Sequence, residues 1–137
     1  MTCFWDGIMQ SLDNSDFAHI DKSPTLKRSH RNFIEFMKEA SRDLSGNTGD
    51  VTWQGIEFRE QEMAENAEAI KVYDVGKIRG GHLTSVCDPF LVLVCQVFQV
   101  DIHHRYLNIW VKYENRKTAR KVLKFRSNRG HFARMKR

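Results

Sequence analysis

A chain of 137 residues with 41% hydrophobic and 28% charged content is of single-domain size, spanning 1–137, and buries a core without needing disulfides or metals. Its three cysteines are odd in number and irregularly spaced, which argues against a disulfide scaffold and for a reducing, cytoplasmic setting. The net charge of +5 is uneven: all 17 acidic residues lie at or before Glu114, so residues 1–115 stand at −5 (12 basic against 17 acidic), while 116–137 carry ten basic residues and no acid.

No stretch approaches the roughly 18 apolar residues of a membrane span. The opening Met1-Thr2-Cys3-Phe4-Trp5-Asp6 lacks a basic segment and carries an early acid, unlike a signal peptide. In chain order, Phe4, Ile8 and Leu12 recur every four residues, which predicts a short helix over 4–12 with Cys3 at its N-terminus. Residues 13–22 read as polar and turn-rich. Ser23-Pro24 reads as a helix start, with Ser as cap and Pro at the first position. The helix is expected to run to about Leu44, with Leu26, Phe33, Phe36, Met37, Ala40 and Leu44 inward. A loop follows over 45–50, with Trp53 beyond it as a core or capping residue. Next comes a helix over 57–70 with an acidic outer face from Glu57, Glu60, Glu62, Glu65 and Glu68. Gly76, Gly80 and Gly81 mark a connection.

Asp88-Pro89 opens an apolar helix over 90–98, expected to be buried because it has no polar face. Strand patterns cover 100–104, 107–113 and 121–126. In the second, Leu107, Ile109, Val111 and Tyr113 alternate with Asn108, Trp110 and Lys112, so Trp110 faces away from the apolar side, towards either a partner or a covering helix. His131 falls just past the last of these strands. Helices first and strands later predict an α+β domain with a small sheet.

The chemistry stands at the two ends. A cysteine at a helix N-terminus faces the positive end of the dipole and free backbone N–H groups, which favour thiolate over thiol. The same N–H groups, that of Cys3 first, are placed to bind an oxyanion. An imidazole at a strand end can meet that terminus only if the fold brings the chain ends together. If it does, Cys3 and His131 make a thiolate–imidazolium pair. The bland alternative is a buried Cys3 and a surface His131. Cys87, Cys95, His82, His103 and His104 show no Cys-x-x-Cys or His-x-x-x-His spacing, so no metal site and no cofactor are expected.

Thr2-Cys3-Phe4-Trp5-x-x-Ile8-x-x-Ser11-Leu12, the apolar helix after Cys87, the run Val100-Asp101-Ile102 and the closing Gly130-His131-Phe132 together resemble the ovarian tumour (OTU) family of papain-like cysteine proteases. The resemblance covers essentially the whole chain, with specificity in the two end motifs. The compact length is more like viral members. The resemblance implies a papain-like fold, a small, mostly antiparallel sheet packed between helices. It implies a thiol protease or deubiquitinase that cleaves after the C-terminal Gly-Gly of ubiquitin or a ubiquitin-like modifier. A viral polyprotein substrate or an immune-evasion role in a host cytoplasm would fit.

Carried over, Cys3 is the nucleophile, His131 the general base and acid, Thr2 and Phe4 adjoin the oxyanion site, and Phe4 and Phe132 flank the pair. The family's orienting Asp or Asn two residues after the histidine is Ala133 here. Asn128, Asp6 and Asp16 are the candidates for that role. The acidic 57–68 face would steer the basic ubiquitin surface. Two alternatives remain: a catalytically weak OTU-like binding module, and a basic nucleic-acid-binding domain acting through 116–137.

Overall fold

The computed structural model describes residues 3–44, 50–77, 87–128 and 131–135, with the backbone alone for Cys3 and Lys77. Five α-helices precede or lead into the sheet: α1 (Cys3–Ser11), α2 (Asn14–His19), α3 (His30–Asp43), α4 (Glu60–Lys71) and α5 (Pro89–Phe98). The strands are β1 (Val51–Trp53), β2 (Ile56–Glu57), β3 (Asp101–Tyr106), β4 (Ile109–Asn115), β5 (Val122–Asn128) and β6 (His131–Arg134). They form one mixed sheet in the order β2-β1-β4-β3-β5-β6. The domain is thus α+β. Each neighbouring pair is antiparallel except β3–β5.

Local chemistry explains most boundaries. Asp88 caps α5, its carboxylate accepting from the Phe90 N–H at 2.8 Å, and Pro89 fills the first turn. Its seven buried residues lie between the sheet and the other helices, Phe90 against Trp5 and Phe98 against Phe17. The α3 expectation needs correcting. Ser23 does cap a helical turn at Pro24, but that turn is a 3₁₀ segment ending at Arg28. Ser29 then adopts extended geometry (φ −141°, ψ 124°) and caps α3 afresh by accepting from the Asn32 N–H. Leu44, expected inward, is exposed, and Ile34 and Ser41 take inward positions instead.

Three elements escape the sequence pattern. The polar 13–22 stretch contains α2, nucleated by a capping box in which Asp13 and Asp16 accept each other's backbone N–H groups. Trp53 ends β1, and Glu57, expected in a helix, belongs to β2. The two strands form a hairpin through Gln54 (φ 55°) and Gly55 (φ 77°), the paired positive angles of a type I′ turn. Gln54 tolerates this because its side chain amide extends the ladder, accepting from the Lys112 N–H and donating to the Trp110 carbonyl. His131, expected past the last strand, is the first residue of β6.

Alternation divides the sheet into two faces. Ile102, His104, Val111, Tyr113, Leu123, Phe125, Ser127 and Phe132 point into the core beneath the helices. Trp110, Lys112, Lys124, Arg126 and Asn128 point the other way and are exposed. The expectation of a sheet packed between helices is therefore corrected: the helices cover one face. Covering one face suffices because strict alternation in β5 leaves only that face apolar. Leu107, expected in the strand, is instead in the turn before β4 (φ 54°), and both it and Ile109, the first β4 residue, are exposed.

Candidate active site

The site region is built where α1 lies along β6. One side of α1 carries Phe4, Trp5, Ile8 and Met9, all buried, and Leu12 just past its end is buried too. Trp5 anchors it: the indole packs edge-on against Phe90 (4.8 Å between centroids), and its N–H donates to the Tyr73 hydroxyl at 2.9 Å. The Phe4 ring lies 4.9 Å from that of Phe132, which stacks on Phe125 at 4.9 Å. One turn on, a Cβ at Gly7 would stand 2.9 Å from two Phe132 ring carbons, so glycine allows this close approach of helix to strand. A further turn on, the Arg134 guanidinium donates to the Gln10 carbonyl at 2.8 Å.

These three contacts fix direction as well as proximity. Phe4 meets Phe132 and Gln10 meets Arg134, so helix and strand run parallel, and the first residue of α1 lies beside the start of β6. Those residues are Cys3 and His131. The Cys3 side chain, and Thr2, lie outside the described residues. His131 is exposed. Phe132 faces α1, so alternation sets the His131 side chain on the other face of β6, at the start of an edge strand with no further strand beyond it among the described residues.

The orienting candidates separate clearly. Asn128 is the cross-strand partner of His131 on the same face, where directly opposed Cβ atoms stand about 5 Å apart. Asp6 meets His30 Nε2 at 2.6 Å. Asp16 is fully buried, holding Arg120 at 2.6 Å and Lys121 at 2.7 Å. Both aspartates are thus engaged elsewhere. The His30–Asp6 pair had no sequence signal, since 24 residues separate its members.

The other two thiols are unsuited to attack. Desolvation, helped by Asp88 and Glu62, pushes the half-buried Cys87 thiol up to about 12. Burial pushes that of Cys95 well above its ordinary value. At neutral pH both stay protonated and poorly nucleophilic. Among the described residues no three His, Cys, Asp or Glu side chains gather as metal ligands. Nor is any described helix long and apolar enough to cross a membrane. Gly80, Gly81 and His82 lie outside the described residues. No protein-family model, curated protein or solved structure matches the chain.

Proposed function

We propose that this domain is a papain-like thiol hydrolase of OTU type, cleaving peptide or isopeptide bonds after the C-terminal Gly-Gly of ubiquitin or a ubiquitin-like modifier. The observation that carries the reading is the parallel course of α1 along the edge strand β6. Through the Phe4–Phe132 contact it brings the end of α1 that Cys3 opens towards the strand that His131 opens. Of the three thiols, Cys3 alone opens a helix, where the dipole and free N–H groups favour thiolate and can hold an oxyanion.

In this reading His131 takes the Cys3 proton, and the thiolate adds to the carbonyl carbon of the modifier's last glycine. The tetrahedral intermediate collapses to a thioester as the C–N bond breaks, and His131 returns the proton to the leaving amine. Water, deprotonated by His131, then attacks the thioester and restores the thiol. Asn128 sits across the ladder where its amide can hold the imidazole in the productive tautomer. The exposed Glu60, Glu65 and Glu68 of α4 supply an acidic surface for a basic modifier.

The direct test is labelling with ubiquitin bearing a C-terminal electrophile. The wild-type chain should form a covalent adduct. Cys3→Ala should form none, and Asn128→Ala should label more slowly. A folded wild-type chain that forms no adduct with ubiquitin or with ubiquitin-like probes overturns the proposal.

A further inference from the structure

The basic C-terminal segment splits into two populations once folded. Arg116 pairs with Glu57 at 2.8 Å, Arg120 with Asp16, and Lys121 with Asp13 and Asp16. Arg134 turns back to the Gln10 carbonyl. These cations serve the fold. Lys124 and Arg126 do not. They project from β5 onto the open face, where the register sets Lys124 beside His103 and Arg126 beside Arg105. On the other side of β3, His103 pairs with Lys112 and Arg105 with Trp110.

Two rows therefore cross the sheet. One reads Lys112, His103, Lys124; the next reads Trp110, Arg105, Arg126. Among the described residues, no carboxylate meets Arg105, Lys112, Lys124 or Arg126. The face's acids gather towards its far end: Glu114 lies 3.8 Å from His103, Asp101 accepts from the Asn115 N–H, and Glu57 pairs with Arg116. Neighbouring like charges disfavour a sheet, and the register sets Arg105 beside Arg126 on strands about 4.8 Å apart. A polyanion relieves that repulsion.

The aromatic partner narrows the class. Trp110 is 40% exposed on this face, with the Arg105 guanidinium 5.9 Å from its ring centroid. A flat row of cations with an exposed, cation-flanked indole fits phosphates along one line and an unpaired base stacked beside them. A duplex hides its base faces from such a platform. A bilayer or an acidic protein could also cover an indole, but neither offers a π-face in line with phosphates, and the test below separates them.

We infer that the open face of the sheet, through Arg105, Lys112, Lys124, Arg126 and Trp110, binds single-stranded nucleic acid. Asn128 and His131 lie on this same face beyond Arg126, but none of these five residues takes part in the Cys3–His131 reaction, so electrophile labelling and oligonucleotide binding can fail separately.

The test is fluorescence anisotropy with a labelled oligouridine of about 12 nucleotides, titrated at several salt concentrations. Four phosphate contacts give log K against log salt a slope of about −3. Lys124→Gln and Arg126→Gln should each weaken binding and flatten the slope by about 0.7. Trp110→Ala should weaken binding roughly 5- to 100-fold while leaving the slope unchanged. Arg31→Gln, on α3 and paired with Glu35, should change nothing. All four side chains to be replaced are exposed, so circular dichroism should show unaltered folds. The inference is overturned by absence of binding at low salt or by equal loss in Arg31→Gln. It is also overturned by binding indifferent to Trp110→Ala, or by tighter association with phosphatidylserine vesicles than with the oligonucleotide.

Discussion

The two faces of the sheet are woven from the same strands and share nothing else. Along β5, Leu123, Phe125 and Ser127 enter the core while Lys124, Arg126 and Asn128 face solvent. The covered face is closed by aromatic packing, and two of its polar side chains meet there, His104 Nε2 lying 2.5 Å from Ser127 Oγ. Among the described residues, no carboxylate meets Arg105, Lys112, Lys124 or Arg126 on the open face, and an indole there stands partly in water. Stability is thus concentrated on one face, and recognition chemistry is free to occupy the other. A single-residue slip in register would exchange them.

Substitutions test that division most sharply where the covered face meets α1. Phe132→Ala removes a ring that touches Phe4, Phe125 and His104, and should cost about 3–5 kcal/mol in urea denaturation. Because the same ring holds α1 along β6, labelling by the ubiquitin electrophile should fall even at temperatures where the variant stays folded. Asp16→Ala should cost a similar ~3–5 kcal/mol, since it strands the partly buried Arg120 and leaves Lys121 only the exposed Asp13. An unchanged urea midpoint would show that the network is dispensable.

The buried imidazole makes the covered face acid-sensitive. Desolvation pushes the His104 pKa down to about 4, from an unfolded value near 6.5. Its Nδ1 has no hydrogen-bond partner among the described residues, so a second proton would sit unpaired in the core. The unfolded chain therefore binds the proton first. Stability is full above about pH 6.5 and is lost as the pH falls towards 4, by up to about 3 kcal/mol. Urea midpoints measured at both ends of that window should fall further for wild type than for His104→Gln.

The smallest effect is expected on the open face. Arg126→Gln should change stability by less than about 0.5 kcal/mol, with any shift favourable because it relieves repulsion with Arg105. A loss beyond 1 kcal/mol would mean that this face carries structure after all.

Some of this was readable directly from the residues. The period of Phe4, Ile8 and Leu12 placed α1, and Asp88-Pro89 placed the start of α5. The alternation of Val111 and Tyr113 with Trp110 and Lys112 placed both faces of β4. Such signals are local, set by helix and strand geometry over a few residues. The hairpin at Gln54-Gly55 was legible in principle from a β-rich triplet followed by a turn pair, yet strands of three and two residues give alternation little length to register.

The chain by itself determined that a thiol and an imidazole stand at opposite ends of an α+β domain, and that its positive charge gathers in the last 22 residues. Only the tertiary structure decided that α1 runs parallel to β6, that Asn128 rather than Asp6 or Asp16 stands across from His131, and which cations are spent on Asp13, Asp16 and Glu57. Those outcomes depend on contacts spanning up to 124 residues of chain. Strand order and cross-strand register set them, and neither leaves a periodic trace in the sequence.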